Sequence, residues 1–223
     1  MYASTNGKYT IFVDYDDNPL NPRYLDNVGT MVCWHHRLAL GDREYYEAPS
    51  EFFLSLYEEI FGEEIEDWHE ASRKLSETPG FIIMPLYLLD HSVLSIQTEP
   101  FNDPWDSGQV GYVYCTPEKV KREFGGVDEA AVENARKCIK EEVDLYDHYL
   151  RDECYRYSLY EGINFVENVG GFFGFYDQAV REMKGYLSEE TEELLDRLED
   201  IDDQDPDSYL LDKIREGVIK CPA

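Results

Sequence analysis

The sequence predicts an α+β fold, a mixed or antiparallel sheet with packed helices and an acidic helical C-terminal appendage. Three observations carry this. Short runs rich in β-branched and aromatic residues lie close together, joined by turns too short for crossover helices. A single long amphipathic stripe interrupts them at 128–150. The last third then changes to acidic, helix-forming sequence. The reading gives an α+β core domain over residues 1–176 and an acidic helical appendage over 177–223. The 223 residues suit one domain of ordinary size or two small ones.

The elements follow in order. YTIFVDY (9–15) reads as a strand, and DDNPLNPRYLDN after it as a loop, from its Asn, Asp and Pro content. VGTMVCWHH (28–36) reads as a second strand, turned by LGD. Helices are expected at 49–61, where Phe52, Phe53, Leu56 and Ile60 recur at helical spacing, and at 64–77. FIIMPLYLL (81–89) is a buried strand in which Pro85 marks an edge or a bulge, and 92–98 is its partner. QVGYVYC (109–115) alternates as a strand, and Thr116 caps a helix that opens on Pro117. In the helix 128–150 one stripe runs through Val132, Ala135, Ile139, Val143, Tyr146 and Leu150. CYRYSLYEGINFV (154–166) suggests a strand or hairpin, and GGFFGFY close backbone packing. Helices are expected at about 176–186, 188–200 and 207–217, with an acidic linker at 201–208.

Charge sets the strongest functional bound. There are 20 basic and 48 acidic residues, a net of −28. The thirds 1–75, 76–150 and 151–223 carry −9, −8 and −11, so the acidity is global. Such a body repels nucleic acid. The densest basic cluster, Lys119, Lys121 and Arg122, is flanked by Glu118 and Glu123, so no direct DNA or RNA binding is expected. No apolar run is long enough to span a bilayer, and MYASTNGKYT does not read as a signal peptide. Five widely spaced cysteines without a CxxC pair read as reduced thiols of a cytoplasmic protein.

Polar clusters punctuate the apolar segments: His35-His36 with Asp42, Asp90-His91-Ser92, Asp106-Ser107-Gly108-Gln109, and Asp147-His148. An acid–base or metal-assisted enzyme would draw on His35, His36, His91 and Asp106, since imidazole and carboxylate are ordinary ligands and proton carriers. The alternative is that these histidines satisfy backbone groups at strand ends. Their spacing fits no fixed metal-ligand pattern, so no metal and no cofactor is assigned. Asp42, Asp90, Trp105, Ser107 and Gln109 are pocket candidates. In PWDSG, Pro104, Asp106 and Gly108 also fit a plain turn. Cys33 and His35 share a strand face, but a buried inert thiol accounts for Cys33 as well. No GxSxG elbow and no phosphate-binding glycine loop occurs.

DNVGTMVCWHHRLALGD (26–42), PLYLLDHSVLSIQTEPFNDPWDSGQVGYVY (85–114), LYDHYL (145–150) and GFFGFY (171–176) resemble segments of a widespread family of bacteriophage and mobile-element proteins. PWDSGQVG is the most specific of them. The resemblance spans about residues 9–176 and stops where the acidic helices begin. It implies a mobile-element origin and carries no catalytic residue with it.

Mobile elements meet host defence proteins that hold DNA in basic grooves. Charge density makes mimicry the first expectation. A helix over 188–200 would span roughly 20 Å, along which duplex DNA offers about 12 charges. It would present Glu189, Glu190, Glu192, Glu193, Asp196, Glu199 and Asp200, continued by Asp202 and Asp203. The stretch 51–70 adds eight acids and no Lys or Arg. The expected partner is therefore a basic, nucleic-acid-binding host protein. The alternatives are the His/Asp enzyme above, a solvated acidic surface, and a structural or assembly module.

Overall fold

The computed structural model describes residues 1–42, 48–201 and 204–219. In chain order the elements are β1 (Tyr2–Thr5), β2 (Tyr9–Tyr15), β3 (Thr30–Cys33), α1 (Pro49–Phe61), α2 (Trp68–Glu77), β4 (Ile82–His91), β5 (Val93–Gln97), β6 (Ser107–Cys115), α3 (Pro117–Phe124), α4 (Glu129–Leu150), β7 (Cys154–Glu161), β8 (Asn164–Phe173), α5 (Tyr176–Met183), α6 (Glu189–Glu192), β9 (Glu199–Asp200) and α7 (Pro206–Arg215). The fold is α+β with two antiparallel sheets. The chain forms two compact units, Asn21–Arg151 and a second made of Met1–Leu20 with Asp152–Ala223.

The continuous unit, 21–151, is built on the sheet β3-β6-β4-β5. Alternation along the strands supplies both faces. Ile82, Met84, Leu86 and Val113 join the α4 residues Ala135, Ile139, Val143 and Tyr146 in one buried cluster. Val32 and Phe81 join Phe52, Phe53, Leu56 and Leu75 of α1 and α2 in another. The sheet is thus covered on both faces. The Thr116 cap is the one the sequence signals, with Thr116 accepting the Lys119 N–H at 3.4 Å; α4 is capped by Asp128, which accepts the Ala131 N–H at 3.0 Å. Pro85 lies in β4, an internal strand, but β5 pairs only with Tyr87–His91. At Pro85 the strand therefore has β6 on one side alone, and the ladder shifts register one residue later.

The discontinuous unit is built on β8-β7-β2-β1-β9. Ile11, Val13 and Tyr157 pack with Ala179 and Met183 of α5 and with Leu194 and Leu195. Phe12 and Ala3 pack with Tyr209 and Leu210 of α7.

Three expectations are corrected here. The division does not fall at residue 176: 177–201 and 204–219 belong to the same unit as β1, β2, β7 and β8, and Ala179, Met183, Leu194, Leu195, Tyr209 and Leu210 complete the core of that sheet. The helix expected over 188–200 is only α6, then a 3₁₀ turn at Glu193–Arg197, then β9. Acids at positions 189, 190, 192, 193 and 196 repel one another at helical spacings. Residues Glu199 and Asp200 instead pair with Ala3 and Tyr2 of β1. Finally, the second strand ends at Cys33, so His35 and His36 lie beyond it, in a turn. Among the described residues no helix is long and apolar enough to cross a membrane.

Candidate functional site

In the continuous unit, antiparallel pairing brings three strand ends together. The register sets Cys33 of β3 opposite Gly111 of β6, and Leu89 of β4 opposite Ser107 of β6. The chain leaving β3, the tip of β4 and the chain entering β6 therefore meet at one end of the sheet. Three of the polar clusters read from sequence sit there.

His91 Nδ1 lies 2.6 Å from the Asp106 carboxylate. Beside it, Arg37 donates to Asp90 at 2.5 Å. Ser92, which turns β4 into β5, holds a φ of 54°, a left-handed conformation rarely adopted by non-glycine residues. His35 accepts the N–H of Leu38 at 3.2 Å through Nδ1, which fixes its ring in a turn, 4.9 Å from that of His36. Partial burial, and then the neighbouring His36, hold the His35 imidazole below its ordinary value. The expected gathering is thus partial. His91 and Asp106 touch, whereas His35 serves its own turn. The His91–Asp106 pair can take and release a proton, but it is open to solvent, at 65% and 41% side-chain exposure. Among the described residues, no three His, Cys, Asp or Glu side chains are arranged to hold a metal ion.

The pocket candidates separate. Trp105 projects into solvent, 92% exposed, and Ser107 donates to the Asp103 carbonyl. Gln109 donates to the Gly111 carbonyl at 3.3 Å. Asp42 has a different task. It grips Arg23 through both oxygens, at 2.6 and 2.8 Å, and accepts the Met31 N–H at 2.8 Å. The Arg23 guanidinium also donates to the Gly29 carbonyl at 2.6 Å, while Glu142 of α4 accepts the Val28 and Gly29 N–H groups at 2.5 and 2.9 Å. The sequence reading missed this buried network. Its one signal is that Arg23 is the only Lys or Arg between Lys8 and Arg37, set in a loop of Asp and Asn.

Three of the thiols are shielded. Cys33, Cys115 and Cys154 are buried and unpaired, and burial pushes them up to about 12, 11 and 12. A thiol held protonated is no nucleophile, so Cys33 is not a partner for His35.

The acidic surface has its own geometry. Along α1 and the loop after it, a groove of about 360 Å³ is lined by Glu51, Glu58 and Glu64 together with Leu54, Ile65, Ser50 and Ser55. Among the carboxylates proposed for partner binding, Glu190 pairs with Lys8 at 3.0 Å, Asp196 with Lys184 at 2.5 Å and Glu193 with Arg197 at 3.6 Å. Glu189 is exposed on α6, Glu192 is half-buried, and Glu199 and Asp200 are exposed on β9. Asp202 and Asp203 lie outside the described residues. No family model, curated protein or solved structure matches the chain.

Proposed function

We propose that this chain is an acidic binding protein of a phage or mobile element, which blocks a nucleic-acid-handling host protein by DNA-like charge mimicry. The observation that carries the reading is an excess of carboxylate in both units, with many of the bases already held by internal pairs. Lys74 is held by Glu70, Arg73 by Glu77, Arg122 by Glu123, and Lys213 by Glu216. The continuous unit has 26 acids and 12 bases and the discontinuous unit 22 and 8, so each has a net charge of −14. The face best suited to a basic partner is α1 with its following loop. There Glu58, Glu59, Glu63, Glu64 and Glu66 are exposed, and Leu54 and Ile65 in the groove lining give the stem of a long cationic side chain apolar contact. On the discontinuous unit, the carboxylates from Glu189 to Asp203 remain a separate proposed contact, with Glu190, Asp196 and Glu193 already braced by internal pairs.

The test is inhibition of restriction or CRISPR nucleases on duplex DNA. Inhibition should be strong near 50 mM salt, fall steeply by about 300 mM, and weaken when Glu58, Glu59, Glu63 and Glu64 are changed together to Gln. Failure to inhibit any such enzyme at low salt overturns the reading.

One contact favours a second reading, an acid–base enzyme centred on His91 and Asp106: their 2.6 Å approach beside the Arg37–Asp90 pair. A hydrolytic activity lost in both His91→Ala and Asp106→Asn, with binding to basic proteins intact, would put this reading first.

A further inference from the structure

Trp105 is the largest exposed apolar side chain of the continuous unit, and its loop is not loose. Asp103 Oδ1 accepts the N–H groups of Trp105 and Asp106 at 3.0 and 3.1 Å. Ser107 donates to the Asp103 carbonyl. Asp106 is tied to β4 twice, through its carbonyl to the Asp90 N–H at 2.8 Å and through its carboxylate to His91. Pro104 fixes the backbone on the other side of the indole. The chain thus ties down both shoulders of a tryptophan and leaves the residue 92% exposed. A floppy loop would let the ring fold back onto apolar surface. A braced one presents it, and pre-ordering of this kind lowers the entropy lost on binding. Tryptophan and arginine are the side chains most enriched at the energetic centres of interfaces.

The surroundings choose the ligand. Asp103 has one oxygen beyond those two N–H bonds, and these bonds hold its carboxyl below the usual range, so it stays ionised. Asp90 and Asp106 lie on the same braced corner, where Arg37 is turned onto Asp90 and the His91 ring onto Asp106. An exposed indole could also stack on a nucleobase, but this corner is negative and repels phosphate. An exposed indole between two aspartates in sequence, Asp103 and Asp106, fits a guanidinium, which can stack on the ring and pair with an acid.

We propose that the Trp105 loop is a docking site for an arginine side chain presented by a basic protein segment. The proposal rests on the reading of the chain as a binder of basic partners, and gives that reading a point of specificity.

The test uses a labelled peptide alternating Arg and Gly, a Lys–Gly counterpart, and a short oligo-dT, each titrated by fluorescence anisotropy near 50 mM salt. The Arg peptide should bind several-fold tighter than the Lys peptide. Trp105→Ala should weaken it about tenfold and erase the preference. Asp103→Asn keeps an acceptor for the turn but removes the charge, and should weaken it about threefold. Neutralising the four α1–loop glutamates should weaken both peptides alike. If that neutralisation acts and Trp105→Ala changes affinity less than twofold, the docking site is overturned and the acidic binder stands. If no basic peptide binds, both fall. Oligo-dT binding that depends on Trp105 would overturn the choice of arginine. The native melting temperature in each variant confirms that the fold is kept.

Discussion

Arg23 and Asp42 form a two-point ion pair, Nε to Oδ1 at 2.6 Å and Nη2 to Oδ2 at 2.8 Å, with the Arg23 side chain wholly withdrawn from solvent. Its remaining nitrogen, Nη1, is buried without a hydrogen bond, 3.8 Å from Glu142. A buried guanidinium depends on its partner, since removal of one charge strands the other. Asp42→Ala should therefore lower stability by about 3–5 kcal/mol, read as a drop in the urea midpoint of the continuous unit. Changing both residues to apolar ones of similar size should recover much of that loss.

Gly111 marks a close approach of strands. A Cβ there would overlap the Val32 carbonyl oxygen and come within 2.9 Å of the Cys33 Cα. Both are backbone atoms, so no side chain can swing aside. Gly111→Ala should part β3 from β6 at a cost of about 2–3 kcal/mol, a fall of roughly 5–10 °C in melting temperature. Gly108, on the same strand, has nothing within 4 Å of its Cβ position and should accept Ala with little change.

Acid should stabilise this chain over part of the pH range. Burial holds the Glu142 carboxyl above its ordinary value of 4.5, against the pull of the Gly29 and Val28 N–H groups. The folded state therefore binds that proton more readily than the unfolded state. Stability falls as pH rises from 4.5 through the raised value. The net charge of −28 acts the same way, because each further ionised carboxylate adds repulsion. The urea midpoint should be higher at about pH 5 than at about pH 7.5, and salt should raise the latter. A midpoint that climbs steadily over that interval would show that paired carboxylates outweigh both effects.

The His91–Asp106 contact should matter little to stability. Exposed ion pairs contribute about 0–1 kcal/mol. His91→Ala should leave the melting temperature nearly unchanged, so any activity it removes can be assigned to chemistry rather than to unfolding.

The buried thiols give a fifth check. In native buffer at about pH 8, Cys33, Cys115 and Cys154 should resist alkylation, and react once the chain is unfolded in denaturant. Rapid native labelling of Cys33 would contradict its burial among the residues of the β3–β6–β4 core.

Local chemistry made much of the fold legible. β2 over 9–15 and α1 over 49–61 lie where alternation and helical spacing place them, and Thr116-Pro117 starts α3 as its side chains require. What escaped is non-local. One sheet was expected where there are two, because no local pattern tells β2 that its partner is β7, with Tyr9 opposite Glu161. The four-residue β1 at the N-terminus has too little pattern to announce itself. At the site, the polar clusters were visible and the meeting of His91 with Asp106 follows from pairing of β4 with β6. The role of Asp42 was not visible, because it is set by an arginine nineteen residues earlier. Three residues within the quoted segments 26–42 and 85–114 have structural tasks of their own. Asp42 serves the buried pair, Gly111 the strand approach, and Gly29 packs where a Cβ would strike Val113 and Ile139.

The unit made from both ends of the chain imposes an order on synthesis. When β1 and β2 leave the ribosome, the strand that must flank Tyr9–Tyr15 has not been translated, and it arrives only with Cys154–Glu161. The intervening 21–151 segment is contiguous and holds its own sheet and helices, so it can close first. Until then the nascent N-terminus exposes Ile11, Phe12 and Val13, a sticky hairpin awaiting a late partner. Premature release anywhere before residue 154 would leave that hairpin permanently bare.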